Sequence, residues 1–257
     1  MGWFGSSSSK KKVTVAQGPW DFYAYSYGDG QRASITFHVE ADAEPEHHGY
    51  AACRRVVLYL PHEGVHAHGL PKPEEYQRST DDELALIAAL ERAGVDCLKV
   101  GHMLYGAMRE IVFQVEDTSG FATVYEAWTK TRKQRKIELI EKAGWTFFDE
   151  KLRPKPPHRK WIENNHLVIE LLKAGSNRDE LHSLDHTFLG EPAALDTVAD
   201  ELKSAGFHPR RADPNRLTLV QELHLDPDQI TTWTLRFEGL ARNSRASYDG
   251  WGAAVVR

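Results

Sequence analysis

The chain predicts an α+β protein of two domains. Three observations carry that reading: a proline cluster past the middle, strand-type alternation mixed with helix-type periodicity before it, and a strand-helix-strand-strand-helix-strand order after it. Length agrees, because 257 residues exceed the roughly 100–200 of a common single domain. The cluster is Leu152-Arg153-Pro154-Lys155-Pro156-Pro157, whose prolines remove backbone donors and favour an extended chain. It sets the expected boundaries: a polar tail over 1–12, a first domain over 13–152, a linker over 153–157 and a second domain over 158–257.

In the first domain, Trp20 to Tyr27 and the alternating Ala33-Ile35-Phe37-Val39 read as two strands around a hairpin turn at Gly28-Asp29-Gly30. Val56 to Leu60 is a short buried strand. Thr80 and Glu83 have capping-box spacing, with Leu84, Ile87 and Ala88 as a helical face that stops at Gly94. Ile111-Phe113-Val115 alternates as a strand, and Phe121, Val124, Tyr125 and Trp128 fall at helical spacing. Ile137 to Leu139 adds a strand, and Trp145 to Phe148 closes the domain. A mostly antiparallel sheet with two helices is expected.

The second domain opens on a helix lined by Trp161, Val168, Leu171 and Leu172 and ended by Gly175. Leu181 to Phe188 is a strand. Pro192 starts a helix whose face is Leu195, Val198, Ala199 and Leu202, stopping at Gly206. Phe207 to Arg210 and Leu217 to Leu225 read as strands around a turn at Asp213-Pro214-Asn215. Asp226, Pro227 and Gln229 start the last helix, with Ile230, Trp233, Thr234, Phe237, Leu240 and Ala241 inward. Tyr248 to Val256 is the closing strand. After the leading helix this βαββαβ order is the ferredoxin-like arrangement.

With 41% hydrophobic and 27% charged residues, the composition is that of an ordinary soluble protein. No segment approaches the ~18 apolar residues of a membrane helix. Met1 to Lys12 lacks the apolar core of a secretory signal. Its Gly2 and Ser6 fit the loose myristoylation pattern, but a plain polar tail is the reading kept. Cys53 and Cys97 have no metal-ligand spacing and sit in apolar surroundings, which suggests buried inert thiols in a reducing, cytoplasmic compartment. A disulfide between them stays open.

Several groupings could carry chemistry. His62-Glu63-Gly64-Val65-His66 spells the zinc signature H-E-x-x-H, which needs both histidines one helical turn apart. Gly64, Gly69, Pro71 and Pro73 argue for a loop instead, so His62, His66 and His68 are weak metal candidates and a metal-dependent hydrolase is the alternative function. The run Lys130, Arg132, Lys133, Arg135 and Lys136 could meet phosphates but reads first as a solvated helix end. From Trp161 onward there are 10 Lys+Arg against 15 Asp+Glu, a balance of −5 that repels a phosphate backbone and suits a basic partner. No RNP1 pattern accompanies the sheet, so direct nucleic-acid binding by this domain is not expected.

His186 beside Asp185 could form an acid–base pair, although a buried histidine bonded to its surroundings is the commoner case. Tyr248 and Trp251 flank Asp249-Gly250 and would lie on opposite faces of an unkinked strand. A structural bulge at Gly250 and an exposed aromatic partner anchor are both open.

Taken in order, Leu171 to Ser176, Leu181 to His186, Leu202 to Gly206 and Tyr248 to Gly252 resemble the regulator-of-ribonuclease-activity B family, bacterial protein inhibitors of ribonuclease E. Trp20 to Tyr27 with its glycine turn, Gly69-Leu70-Pro71, Gly106 to Phe113 and Trp145 to Pro154 resemble a bacterial domain of unknown function, number 695. The resemblance implies a non-catalytic regulator that needs no cofactor and binds ribonuclease E through protein contact. His186, Tyr248, Asp249 and Trp251 are then the expected partner-binding residues. A scaffold whose first domain binds an unidentified ligand is the further alternative.

Overall fold

The computed structural model describes residues 18–28, 30–43 and 50–256. The expected tail with Gly2 and Ser6, the domain start at 13 and the turn residue Asp29 lie outside the described residues. The chain divides into two compact units, Met1–Arg153 and Pro154–Arg257. No described helix is long and apolar enough to cross a membrane.

In the first unit β1 (Trp20–Tyr27) and β2 (Gln31–His38) form an antiparallel hairpin, followed by the short helix α1 (Val39–Ala43). Next come β3 (Ala52–Tyr59), α2 (Pro73–Ala93) and the hairpin of β4 (Cys97–Tyr105) and β5 (Met108–Val115). Then follow α3 (Thr118–Lys130), β6 (Ile137–Ala143) and a π-helical turn at Phe148–Leu152. The strands order as β1-β2-β4-β5-β3-β6, antiparallel throughout. Strand alternation divides the two faces. Val56, Leu58, Ile111 and Phe113 pack on Leu86, Ile87 and Leu90 of α2 and on Phe121 and Trp128 of α3. Arg55 and Glu110, one residue out of step with that cluster, face the other side.

The capping-box expectation is corrected. Helix α2 starts at Pro73, so Thr80 lies inside it and donates its hydroxyl to the Tyr76 carbonyl at 2.8 Å. Glu83 is a buried core position instead. Its carboxylate takes Arg109 Nε at 2.6 Å and pairs with Lys99, and His102 Nδ1 lies at 3.5 Å. The buried face is therefore Ser79, Glu83, Leu86, Ile87 and Leu90, while Leu84 is 54% exposed. A periodicity search that assigns charges to solvent misplaces the stripe, because this carboxylate is paid for by two buried cations.

In the second unit α4 (Pro156–Lys173) precedes β7 (His182–Leu189), α5 (Pro192–Ser204), β8 (Arg210–Asp213), β9 (Arg216–Leu223), α6 (Pro227–Asn243) and β10 (Ser247–Ala253). Sheet order is β10-β7-β9-β8, all antiparallel, as a split βαβ fold requires. The α5 face Leu195, Val198, Ala199 and Leu202 is buried, packed with Phe188, Leu217, Leu219 and Phe237. Helix α4 buries Val168 in a second cluster with Leu184, Leu225 and Ile230.

Two expected boundaries move. Pro156 and Pro157 belong to the first turn of α4, where a missing donor costs nothing and φ is already helical. Phe207 is not in a strand. Gly206 takes φ +87°, Phe207 N–H caps the Leu202 carbonyl at 2.9 Å, and the Phe207 ring packs on Trp233 and Phe237. Ending α5 in this way delays the next strand to Arg210.

Candidate functional site

The closing strand places the residues the sequence singled out. Its register with β7 shifts between Tyr248 and Gly250, and Gly250 adopts φ +109°, which a side chain rarely tolerates. The extra residue brings Tyr248 and Trp251 to the same, helix-covered face: Tyr248 packs on the cluster around Phe188 and Phe237, Trp251 on the one around Leu184. Opposite faces would have followed from an unkinked strand.

Neither ring stands free. His186 Nδ1 shares a 2.7 Å hydrogen bond with the Tyr248 hydroxyl, and its ring meets Phe237 edge-on at 4.8 Å. Burial pushes the His186 imidazole down to about 4, so it is neutral at physiological pH. Trp251 Nε1 donates to Asn164 Oδ1 at 2.8 Å, and Asn164 Nδ2 donates to Thr231 and Thr234 at 3.0 Å each. Asn177 N–H reaches the Val256 carbonyl at 3.0 Å, tying the loop after α4 to the chain end. Trp251, with Asn164, Thr231 and Thr234, thus forms a seam joining α4, α6 and β10. His186 is fully buried and cannot touch a partner. Asp185 is exposed on the opposite face, so the two make no acid–base pair.

That opposite face is the accessible one. Asp185 and Ser183 alternate with buried residues along β7, and Val220 and Glu222 are exposed between buried or half-buried ones along β9. Ser183 stands opposite Glu222, with its hydroxyl donated to that carboxylate, and Asp185 stands opposite Val220, which is 48% exposed. Asp249 is exposed at the bulge. Carboxylates around an exposed apolar residue can receive a cationic side chain with its aliphatic stem. Sequence reading missed Ser183, Val220 and Glu222; alternation along β7 for the first and along β9 for the other two was the available signal.

In the first unit His62–Gly64 is one 3₁₀ turn and Val65 is extended, bridging to Pro71. His62 and His66 therefore share no helical face, and the geometry of the zinc signature is missing. The His66 and His68 rings lie 5.1 Å apart. Among the described residues no three of His, Cys, Asp and Glu cluster as a metal set. Cys53 and Cys97 are free and buried, and burial raises their thiols to about 11 and about 12.

The basic run splits by function. Arg135 reaches Glu75 at 2.7 Å and Asp82 at 3.0 Å, and Arg132 reaches Asp82 at 2.7 Å, pinning the loop to α2. Lys130, Lys133 and Lys136 stay exposed at its rim. A polar cluster absent from the sequence reading lies on the sheet face away from α2: buried Glu110 accepts Arg55 Nε and, at 2.8 Å, the Tyr105 hydroxyl.

Comparison with known proteins gives two family matches. Residues 18–152, just over half the chain, match "Family of unknown function (DUF695)", and residues 161–253 match "Regulator of ribonuclease activity B". No curated protein matches the chain. A crystal structure of an unknown protein from Galdieria sulphuraria is similar at 8% identity and a TM-score of 0.20, covering 80% of this chain and 99% of that one. A likeness that distant carries no argument.

Proposed function

The chain belongs to the family of unknown function DUF695, and we propose that its second unit, which matches a family of ribonuclease regulators, is a non-catalytic docking module for a basic protein partner, ribonuclease E first among them. Bound there, it lowers RNA cleavage by contact and not by chemistry on RNA. A cytoplasmic location goes with that partner. The observation that carries the reading is the accessible sheet face with Asp185, Glu222 and Val220, in a segment holding 15 acidic against 10 basic residues from Trp161 on. Carboxylates held on a rigid sheet are pre-organised to receive arginines from an otherwise mobile segment, which limits the ordering cost to one side. Of the residues expected to bind, Asp249 is exposed at the bulge and is kept in this reading, while His186, Tyr248 and Trp251 are given a packing role.

The test is capture of ribonuclease E from the same organism on the full chain. Enrichment over a charge-matched control protein is expected, with affinity falling about tenfold or more in the double variant Asp185→Lys, Glu222→Lys. No enrichment, or equal capture by the double variant, overturns the proposal.

A further inference from the structure

The sheet face of the first unit that turns away from α2 and α3 holds a cavity of about 180 Å³. We propose that it is a binding site for a small monocarboxylate with a compact apolar body, held by the Arg55 guanidinium. This assignment is independent of the docking surface on the second unit.

The guanidinium is pre-positioned. Its Nε is held by Glu110, a carboxylate with no solvent exposure, whose second oxygen accepts the Tyr105 hydroxyl at 2.8 Å. The Phe147 ring lies over the guanidinium carbon at 3.9 Å. With one nitrogen anchored and one flat face covered, the two terminal nitrogens have no partner among the described residues. That edge is the fork that matches a carboxylate in two parallel hydrogen bonds. Arg55 lines the cavity. The side chain is only 14% exposed, and an acceptor entering the cavity would take the place of water on its terminal donors.

Charge and size narrow the ligand. Glu110 balances Arg55, so Lys151 at the cavity wall leaves one net positive charge, which suits a monoanion. Ile35, Met103 and Phe147 supply an apolar wall. A cavity of about 180 Å³ suits a small acid. Tyr25, also at the wall, stays a neutral hydroxyl because burial, then Tyr27, raises its pKa.

The experiment uses the full chain labelled at its methionine methyls, with benzoate and 3-methylbutanoate as probes. Benzamide and 3-methylbutanamide serve as neutral isosteres, and inorganic phosphate as a second anion. Saturable shifts of the Met103 methyl are expected with the carboxylates below about 10 mM, the affinity range of so few atoms. The amides should bind about tenfold more weakly or less. Lys151→Ala removes an exposed side chain and leaves the Arg55–Glu110 pair in place, and should weaken carboxylate binding several-fold. Arg55→Lys keeps the charge beside Glu110 but loses the fork, and should weaken it about tenfold. Silence at Met103 with both acids, equal response to the amides, a response to phosphate alone, or affinity unchanged in both variants overturns the proposal.

Discussion

Glu83 lies inside the first unit with Lys99 and Arg109 on its oxygens and His102 at 3.5 Å. Burial alone raises a carboxyl; the hydrogen bond and charge of His102 and the charges of Lys99 and Arg109 outweigh it and hold Glu83 well below the usual range. Burial drives His102 below its ordinary value, so at neutral pH the two cations do the holding. Glu83→Gln strands them and should cost about 3–5 kcal/mol in chemical denaturation of the full chain. Because folding lowers this carboxyl, its contribution is present above about pH 4.3 and fades as pH falls below that value. The variant should lose that part of the acid slope; a cost under about 1 kcal/mol contradicts the account. His186 works on a higher window. Between about pH 6.5 and 4 the unfolded imidazole takes up a proton that the folded one refuses, lowering stability by about 3 kcal/mol. His186→Gln should flatten that window, and a nuclear magnetic resonance titration should find the wild-type ring neutral at pH 5.

Turns and helix ends raise a different question, namely which local signals position a whole segment. Gly250 at φ +109° has nothing within 4 Å of where a Cβ would sit, so Gly250→Ala meets backbone strain alone. The expected cost is about 1–3 kcal/mol. If the bulge straightens to relieve it, Trp251 turns to the opposite face and its indole N–H loses Asn164. Loss of hydrogen-exchange protection at that indole would register the change, while full protection with unchanged melting would argue that the bulge is incidental. Thr80 gives the contrasting case. As an interior residue of α2, Thr80→Ala should change stability by no more than about 0.5 kcal/mol, where removing a true cap costs about 1.

For the molecule as a whole, charge is partitioned. The balance of −5 from Trp161 onward equals the net charge of the entire chain, so the first 160 residues are neutral overall. An electrostatic docking role for the second unit implies a long-range field that salt removes. Raising ionic strength from about 0.1 to 1 M shrinks the screening length from ~10 to ~3 Å. Capture of ribonuclease E should weaken about tenfold or more over that range, chiefly through slower association. An affinity indifferent to salt would shift the weight from Asp185 and Glu222 to an apolar contact around Val220.

Element identity was legible where its signals are local, though β4 (Cys97–Tyr105) and the helix α1 (Val39–Ala43), whose Val39 reads as strand, were not. Gly94, Gly175 and Gly206 end helices, Pro192 and Asp226 begin them, and alternation along 111–115 or 217–223 reads as strand without knowledge of any partner. The same locality extended to the resemblance, whose short motifs fall on the end of α4, on β7, on the end of α5 and on β10. What those motifs do was not legible. Whether His186 faces a partner or Phe237, whether Tyr248 and Trp251 share a side, and whether Glu83 and Arg55 point to water depend on groups distant in the chain. Lys99 and Arg109 for Glu83, Glu110 and Phe147 for Arg55, and Asn164 for Trp251 are such groups. A charge becomes tolerable inside, and an aromatic becomes structural, only when folding delivers its counterpart across the sheet.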